Sequence, residues 1–270
     1  MLPGAHDALS ALLIKQAGFK AYFIGGFPVA GIRYGVPDIG LLGQGEFASA
    51  YRDILAVNDL PCLVDADNGY GDVKNVVHLV HAYERMGAQA LFFEDQVSPK
   101  RCGHIAGKTL VSTEDMVAKI HAAAGERINA DTFLIARTDA REVHDLDEAL
   151  RRGEHYLRAG ADALFIEAPT SIAEMQRISA EFDCPQLANM LEGGRTPILP
   201  PAELEQLGFR IVIYGISLLL RVSEVMQSSL RELKAGRLPS APATGFDDYK
   251  RMVEFDRWAA IEARYGVSSK

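Results

Sequence analysis

The sequence is short of several things, and each shortage closes off a class of protein. Cysteine is scarce: Cys62, Cys102 and Cys184 are too few, and odd in number, for a disulfide framework, which fits a reducing compartment. Basic residues are in the minority, 28 Lys and Arg against 36 Asp and Glu. The net charge of -8 leaves no electrostatic footprint for a nucleic acid. Long apolar runs are missing too. The longest, around Ile211–Leu220, is broken by glycine and falls short of the ~18 residues a membrane-spanning helix needs. Met1-Leu2-Pro3-Gly4-Ala5-His6-Asp7 lacks the charged and apolar regions of a secretory signal. These absences predict a cytoplasmic protein with neither a membrane nor a nucleic acid among its partners. An acidic chain of this kind needs a local positive centre, an Arg, a Lys or a metal ion, to bind an anionic substrate.

What is present is a rhythm. With 48% hydrophobic residues the 270-residue chain can bury a real core. Short apolar runs recur at Leu2–Ala5, Tyr22–Ile24, Leu60–Val64, Ala90–Phe93, Thr132–Ala136, Ala163–Ile166, Gln186–Ala188 and Arg210–Tyr214. Most are apolar on successive positions, the pattern of strands covered on both faces. Between them lie amphipathic helices over His6–Ala17, Asp72–Met86, Thr113–Ala124, Asp147–Ala159 and Ser171–Phe182, several of them ended by Gly. Eight such units predict a (β/α)8 TIM-type barrel. An open doubly wound sheet is the competing architecture, but no Gly-x-Gly-x-x-Gly follows any strand, and Gly25-Gly26-Phe27-Pro28 does not supply one. The barrel is expected over residues 1–236. Residues 237–270 form a linker with Pro239, Pro242 and Gly245, then a helix over Asp247–Arg264 that belongs to no barrel unit.

In a parallel barrel the reactive groups gather at the carboxyl ends of the strands. Here those ends read Asp65-Ala66-Asp67-Asn68-Gly69, Glu94-Asp95-Gln96, Arg137-Thr138-Asp139, Glu167-Ala168 and Asn189-Met190. Several carboxylates without His or Cys companions suit a hard divalent cation that prefers oxygen and keeps waters. The spacing after Asp65 is wrong for an EF-hand loop. Arg137, at a strand end among acids, suits either an ion pair or a bidentate clamp on a substrate carboxylate. A polar, basic segment from Val97 to Lys108 follows the fourth strand, as a flap over a site would. Within it Cys102 lies near Lys100, Arg101 and His104, which predicts a lowered thiol pKa and leaves acid, base and nucleophile open as roles. Cys62 and Cys184 read as structural thiols. His78 and His81 share a helix face but lack a third ligand.

Together with Pro3-Gly4-Ala5-His6-Asp7, Val36-Pro37-Asp38, Lys100-Arg101-Cys102-Gly103-His104 and Thr196-Pro197, these strings resemble the isocitrate lyase/phosphoenolpyruvate mutase superfamily over nearly the whole chain. The Lys-Arg-Cys-Gly-His string is similar to the lyase branch, methylisocitrate lyases above all. The resemblance implies a carbon–carbon lyase with Mg2+ (or Mn2+) as cofactor and a homotetramer whose last helices swap between subunits. It implies Asp67 as metal ligand, with Asp65 and Glu94 reaching the ion directly or through water. Gly25 and Gly26 would offer backbone amides to a substrate carboxylate, and Arg137 would stabilise charge on the 2-oxygen. Tyr22 would help remove the hydroxyl proton, and Cys102 would protonate the carbanion left by cleavage. Lys100, His104, Glu167 and Asn189 would shape a second carboxylate site.

The chain departs from that family at Ile24, where the usual residue is Ser, and at Leu191, where methylisocitrate lyases carry Thr. The family also often has a short segment ahead of its first strand, whereas this sequence opens on it. Glu192-Gly193-Gly194 is closer to relatives acting on smaller acids. The expected substrate is a small 2-hydroxy di- or tricarboxylate of the 2-methylisocitrate or 2,3-dimethylmalate kind, cleaved to a 2-oxo acid such as pyruvate. Oxaloacetate hydrolysis or decarboxylation is the alternative. A phosphonomutase is disfavoured by Cys102, and a barrel that binds a metal–carboxylate ligand without turnover is a further possibility.

Overall fold

The computed structural model describes residues 1–266. Eight parallel strands, β1 (Leu2–Ala5), β2 (Tyr22–Ile24), β3 (Cys62–Asp65), β4 (Ala90–Glu94), β5 (Phe133–Thr138), β6 (Ala163–Ile166), β7 (Leu187–Asn189) and β8 (Ile211–Tyr214), stand in the order β6-β5-β4-β3-β2-β1-β8-β7. The two ends of that sheet meet. Leu164 of β6 bridges in parallel to Gln186, just ahead of β7, and its amide donates to the Pro185 carbonyl at 3.2 Å. The result is the expected (β/α)8 barrel rather than an open sheet.

The helices start where a side chain can take their free amides. Asp7, Asp72, Ser112, Asp145 and Ser171 each accept a first-turn backbone N–H. Inside the barrel, Phe23, Leu63, Phe92, Ile135, Ala163, Phe165, Leu187 and Ile213 form one buried cluster. Outside it, a larger cluster lies between strands and helices; Tyr22, Ile24, Val64, Leu91, Phe93 and Leu134 belong to it. Successive strand residues thus divide between lumen and helix layer, as the pleat requires.

Beyond β8 the helix Ser217–Lys234 fully buries only Leu219. The single helix expected over Asp247–Arg264 is instead two, Phe246–Met252 and Phe255–Tyr265. Glu254 between them sits at φ 56°, a left-handed conformation that ends one helix and starts the next. Residues 267–270 of the predicted extension lie outside the described residues.

Candidate active site

The two-residue period of the pleat sets what reaches the mouth of the barrel. From the even strands, Phe23, Phe92, Phe165 and Ile213 face inward and make an apolar floor. Two residues further along, the same strands reach Gly25, Glu94, Glu167 and Gly215. The odd strands change likewise, from Leu63, Ile135 and Leu187 to Asp65, Arg137 and Asn189. One step of alternation takes the lumen from hydrocarbon to charge. The two glycines leave the space that bulkier residues would fill.

The acids gather on one side. Asp65 accepts the Asp67 amide at 2.9 Å and the Gly26 amide at 3.0 Å. Gly26 was expected to bind a substrate carboxylate, but its N–H is committed to Asp65. Asp67 holds a left-handed φ of 47°, fixed by Asp65 and by the Glu94 amide, which donates to its carbonyl at 2.8 Å. The Tyr70 hydroxyl donates to Asp67 Oδ2 at 2.6 Å. Burial, and then the neighbouring Asp67 charge, push the Asp65 carboxyl up to about 6. Burial raises Glu94 too, against the pull of Arg137.

These residues fit a hard cation. Glu94 Oε1 is buried with no hydrogen-bond partner, the mark of an oxygen reserved for something else. Asp65 Oδ2 and Asp67 Oδ1 converge under Gly26, each 3.4 Å from where a Cβ there would lie. No three His, Cys, Asp or Glu groups among the described residues enclose a metal position. An ion of the Mg2+ type needs only one or two carboxylates and completes its shell with water and substrate.

Arg137 faces this cluster. Its Nε and Nη2 donate to Asp139 at 3.0 and 3.1 Å, and its Nη1 lies 3.2 Å from Glu94 Oε2 and 3.5 Å from Glu167 Oε2. The guanidinium rests on the floor, 5.1 Å from the Phe165 ring centre. Glu167 also lies 3.1 Å from His104 Nε2 and accepts the Asn189 amide at 3.2 Å. Arg137 and His104 draw its carboxyl down to about 2 despite burial. The geometry therefore brings Glu167, His104 and Asn189 together as expected. Lys100 is not with them. Its ammonium lies 2.5 Å from both Asp38 Oδ1 and Asp67 Oδ1, on the acidic side.

The flap covers all of this. Its root is an antiparallel stem, with the Val97 amide donating to Thr109 and the Val111 amide to Asp95, both at 2.9 Å. Cys102 lines the cavity beneath, and its amide donates to the Asp38 carbonyl at 3.2 Å. The thiol pKa is not lowered: burial pushes it up to about 11. The basic neighbours read from the sequence point elsewhere, Lys100 to Asp38 and His104 to Glu167. The remaining cavity is about 50 Å³ and is lined in part by Phe27, Pro28, Leu191 and Ile216.

Tyr22 is the largest departure from expectation. It belongs to the core between strands and helices, and its buried hydroxyl has no partner but the weakly bonding thiol of Cys62 beside it. Burial holds it above the ordinary tyrosine range. Phe23, one residue on, is what faces the site. Ile24 faces away for the same reason, so it neither stands in for a ligand-facing Ser nor offers a pocket to an alkyl group. Asp38, Tyr70, Lys108 and Asp139 were not predicted as site residues. Asp139 was within reach, because it follows Arg137 at a strand end; Asp38 stood in one of the strings that carry the family resemblance, but with no role attached to it.

Comparison with known proteins identifies the family. The family model described as phosphoenolpyruvate phosphomutase matches residues 1–234. The chain belongs to the isocitrate lyase/phosphoenolpyruvate mutase superfamily. It is 44% identical over 270 residues to the 2,3-dimethylmalate lyase of Eubacterium barkeri, covering 98% of this chain and 93% of that one. A crystal structure of a 2,3-dimethylmalate lyase superposes with a TM-score of 0.93 at 33% identity, over 99% of this chain and 91% of the other. A phosphonopyruvate hydrolase in complex with oxalate and Mg2+ superposes with a TM-score of 0.85 at 30% identity, over 98% and 93%.

Proposed function

We propose that this protein is a Mg2+-dependent carbon–carbon lyase acting on a methyl-substituted 2-hydroxy dicarboxylate of the 2,3-dimethylmalate kind. The observation that carries the reading is a half-buried thiol, kept protonated, on a flap above Arg137 and an acidic cluster. A carboxylate of the acidic cluster takes the 2-hydroxyl proton as the C2–C3 bond breaks, which makes C2 a ketone and leaves the electron pair on C3, beside the second carboxylate. Cys102 then delivers its proton to C3, giving a 2-oxo acid and a simple carboxylate. Asp67, with Asp65 and Glu94, would hold the cation, which supplies a Lewis acid for the 2-oxygen and its carboxylate. Arg137 stabilises negative charge on the 2-oxygen, and its own partners hold it still. Gly25 leaves room for the first carboxylate; His104, Asn189 and Glu167 frame the second. Tyr22 takes no part. Phe27, Pro28, Leu191 and Ile216 give methyl groups an apolar wall and favour a dimethylmalate-like substrate over a tricarboxylate.

A panel of 2,3-dimethylmalate, 2-methylisocitrate, oxaloacetate and phosphonopyruvate with Mg2+ tests this. The expected outcome is 2-oxo acid release with the highest kcat/KM for dimethylmalate. Cys102→Ser should lower kcat by a factor on the order of 100, the usual scale for a general acid. Activity should persist through pH 9 and fall as the thiol loses its proton near 11. Turnover of oxaloacetate alone, indifferent to Cys102→Ser, would favour the hydrolase reading.

The same proposal includes a cytoplasmic homotetramer of helix-swapped dimers, with residues 237–270 as an extension outside the barrel unit. Leu218, Leu220, Met226, Leu230, Phe246 and Trp258 are all exposed on the helices after β8, more apolar surface than an isolated subunit tolerates well. Among the described residues no helix is long and apolar enough to cross a membrane. Sedimentation at micromolar concentration should give four subunits; a monomer would exclude the assembly.

A further inference from the structure

Among the buried cations that account leaves unused, one reaches the flap. Lys108, at the far end of the flap, has a side chain with no exposed surface. Its Nζ donates to the carbonyl of Gly103, the residue that joins Cys102 to His104. The same Nζ lies 3.0 Å from Glu142 Oε2 and 3.5 Å from Asp139 Oδ1. Asp139 is the carboxylate that clamps Arg137 in two places. Glu142 is shared as well: Arg195 Nη2 lies 3.2 Å from its other oxygen, and the Arg195 amide donates to His104 Nδ1 at 3.0 Å. A closed circuit thus runs from the flap backbone through Lys108 and Glu142 to Arg195 and back to the flap at His104.

The fit beneath the circuit is close. A Cβ on Gly103 would collide with the Arg137 guanidinium and with Glu167, and a Cβ on Gly194 would collide with the His104 ring. Backbone therefore rests directly on the catalytic cation, and something must hold it there. A lone carbonyl hydrogen bond is modest, but one made by a fully buried ammonium between two carboxylates is charge-assisted and well shielded from water.

We propose that Lys108 is a positioning residue for the thiol: by tying the Gly103 carbonyl to Asp139 and Glu142, it sets Cys102 over the site in register with Arg137. This rests on the reading of Cys102 as proton donor, but its test does not. The flap has a pin at each end. Lys100 ties its front to Asp38 and Asp67, where the cation is expected to bind, and Lys108 ties its back to the partner of Arg137. The back pin touches no expected metal ligand and reaches Arg137 only through Asp139.

The test is alkylation of Cys102 by iodoacetamide, followed by peptide mass spectrometry, in a Cys184→Ser background. Cys62, 1% exposed, serves as an internal marker of global unfolding. In Lys108→Met the alkylation of Cys102 should speed up at least tenfold while Cys62 stays unreacted, because a released flap exposes the thiol and restores its normal acidity. On the natural background kcat should fall at least tenfold, with KM within threefold. Should Lys108→Met not fold, Glu142→Gln, which keeps the size and loses the charge, should shift Cys102 alkylation in the same direction by about threefold or more. An unchanged alkylation rate in a folded variant overturns the proposal, whatever happens to turnover. If Cys102→Ser turns over normally but the Lys108 variant still exposes Cys102, the proton-donor reading fails and the positioning stands.

Discussion

Glu94 and Asp95 are neighbours in the chain, both carboxylates and both buried, yet they stand on opposite faces of the barrel wall. Asp95 looks toward the helices and is fully satisfied. It accepts from Thr138 Oγ1 at 2.6 Å, Tyr156 Oη at 2.8 Å, Arg152 at 3.0 Å and the Asp139 amide at 3.0 Å. Glu94 looks into the lumen, shares one oxygen with Arg137 and leaves the other with no partner. A carboxylate surrounded by donors is finished and serves the fold. One left incomplete in a dry site is held ready for a ligand, and the surrounding structure must carry the cost. The same division runs along β2, where Tyr22 and Ile24 serve the packing and Phe23 and Gly25 the site.

The contrast is sharpest if Asp95 is removed. Asp95→Ala takes the buried carboxylate from Arg152 and Tyr156, and although Arg152 keeps Glu148 and the Val111 carbonyl, breaking such a pair by deleting one member costs about 3 kcal/mol. Urea unfolding should register that loss, while the variant that remains folded keeps its preference among substrates. A drop in stability below about 1 kcal/mol would mean the helix side of the wall is not what holds the strand end.

Ile24→Ser comes next. It removes a fully buried side chain from the helix-facing core and leaves a hydroxyl there, so about 3 kcal/mol of stability should go. Were Ile24 to face the site, the same change would shift substrate preference instead. The ratio of kcat/KM for dimethylmalate and methylisocitrate separates the two: it should not move. Glu94→Gln is the lumen counterpart. It neutralises the incomplete carboxylate without changing its size, so thermal stability should hold or rise while Mn2+ binding, followed by titration calorimetry, weakens on the order of tenfold, about 1.4 kcal/mol. Equal Mn2+ affinity would move Glu94 out of the cation's surroundings.

How far the sequence spoke follows from the same geometry. The barrel was legible because eight apolar runs and their glycine-stopped helices repeat one local pattern, and reading the residue that ends each run reached Asp65, Glu94, Arg137, Glu167 and Asn189 together. The direction of a side chain within a three-residue strand was not legible. With Tyr22, Phe23 and Ile24 all apolar in character and all buried, no alternation of polarity says which one faces inward, and a slip of one residue exchanges lumen for helix layer. The partners of charged residues on the flap were hidden for another reason: Lys100 and Lys108 meet Asp38, Asp139 and Glu142 only after the chain has folded over long distances. The acidity of Cys102 was misread for the same cause, since its basic neighbours in sequence turn to other carboxylates in space.

The smallest effect is also the cleanest test of which face a residue serves. Tyr22→Phe removes one buried oxygen whose sole neighbour for hydrogen bonding is the weak Cys62 thiol, so little is lost that the folded state had satisfied. A buried hydroxyl without a strong hydrogen bond is a net cost to folding, and its removal should leave stability unchanged or raise it by up to about 1 kcal/mol. If Tyr22 were the base that takes the hydroxyl proton, the same change would cut kcat by a factor on the order of 100. The two outcomes are far apart, and a single kinetic comparison decides between them. The companion variant, Phe23→Tyr, puts a hydroxyl on the inward-facing neighbour. There it would meet the site, so kcat/KM should respond even though the change in composition is the same size and only one residue along the strand.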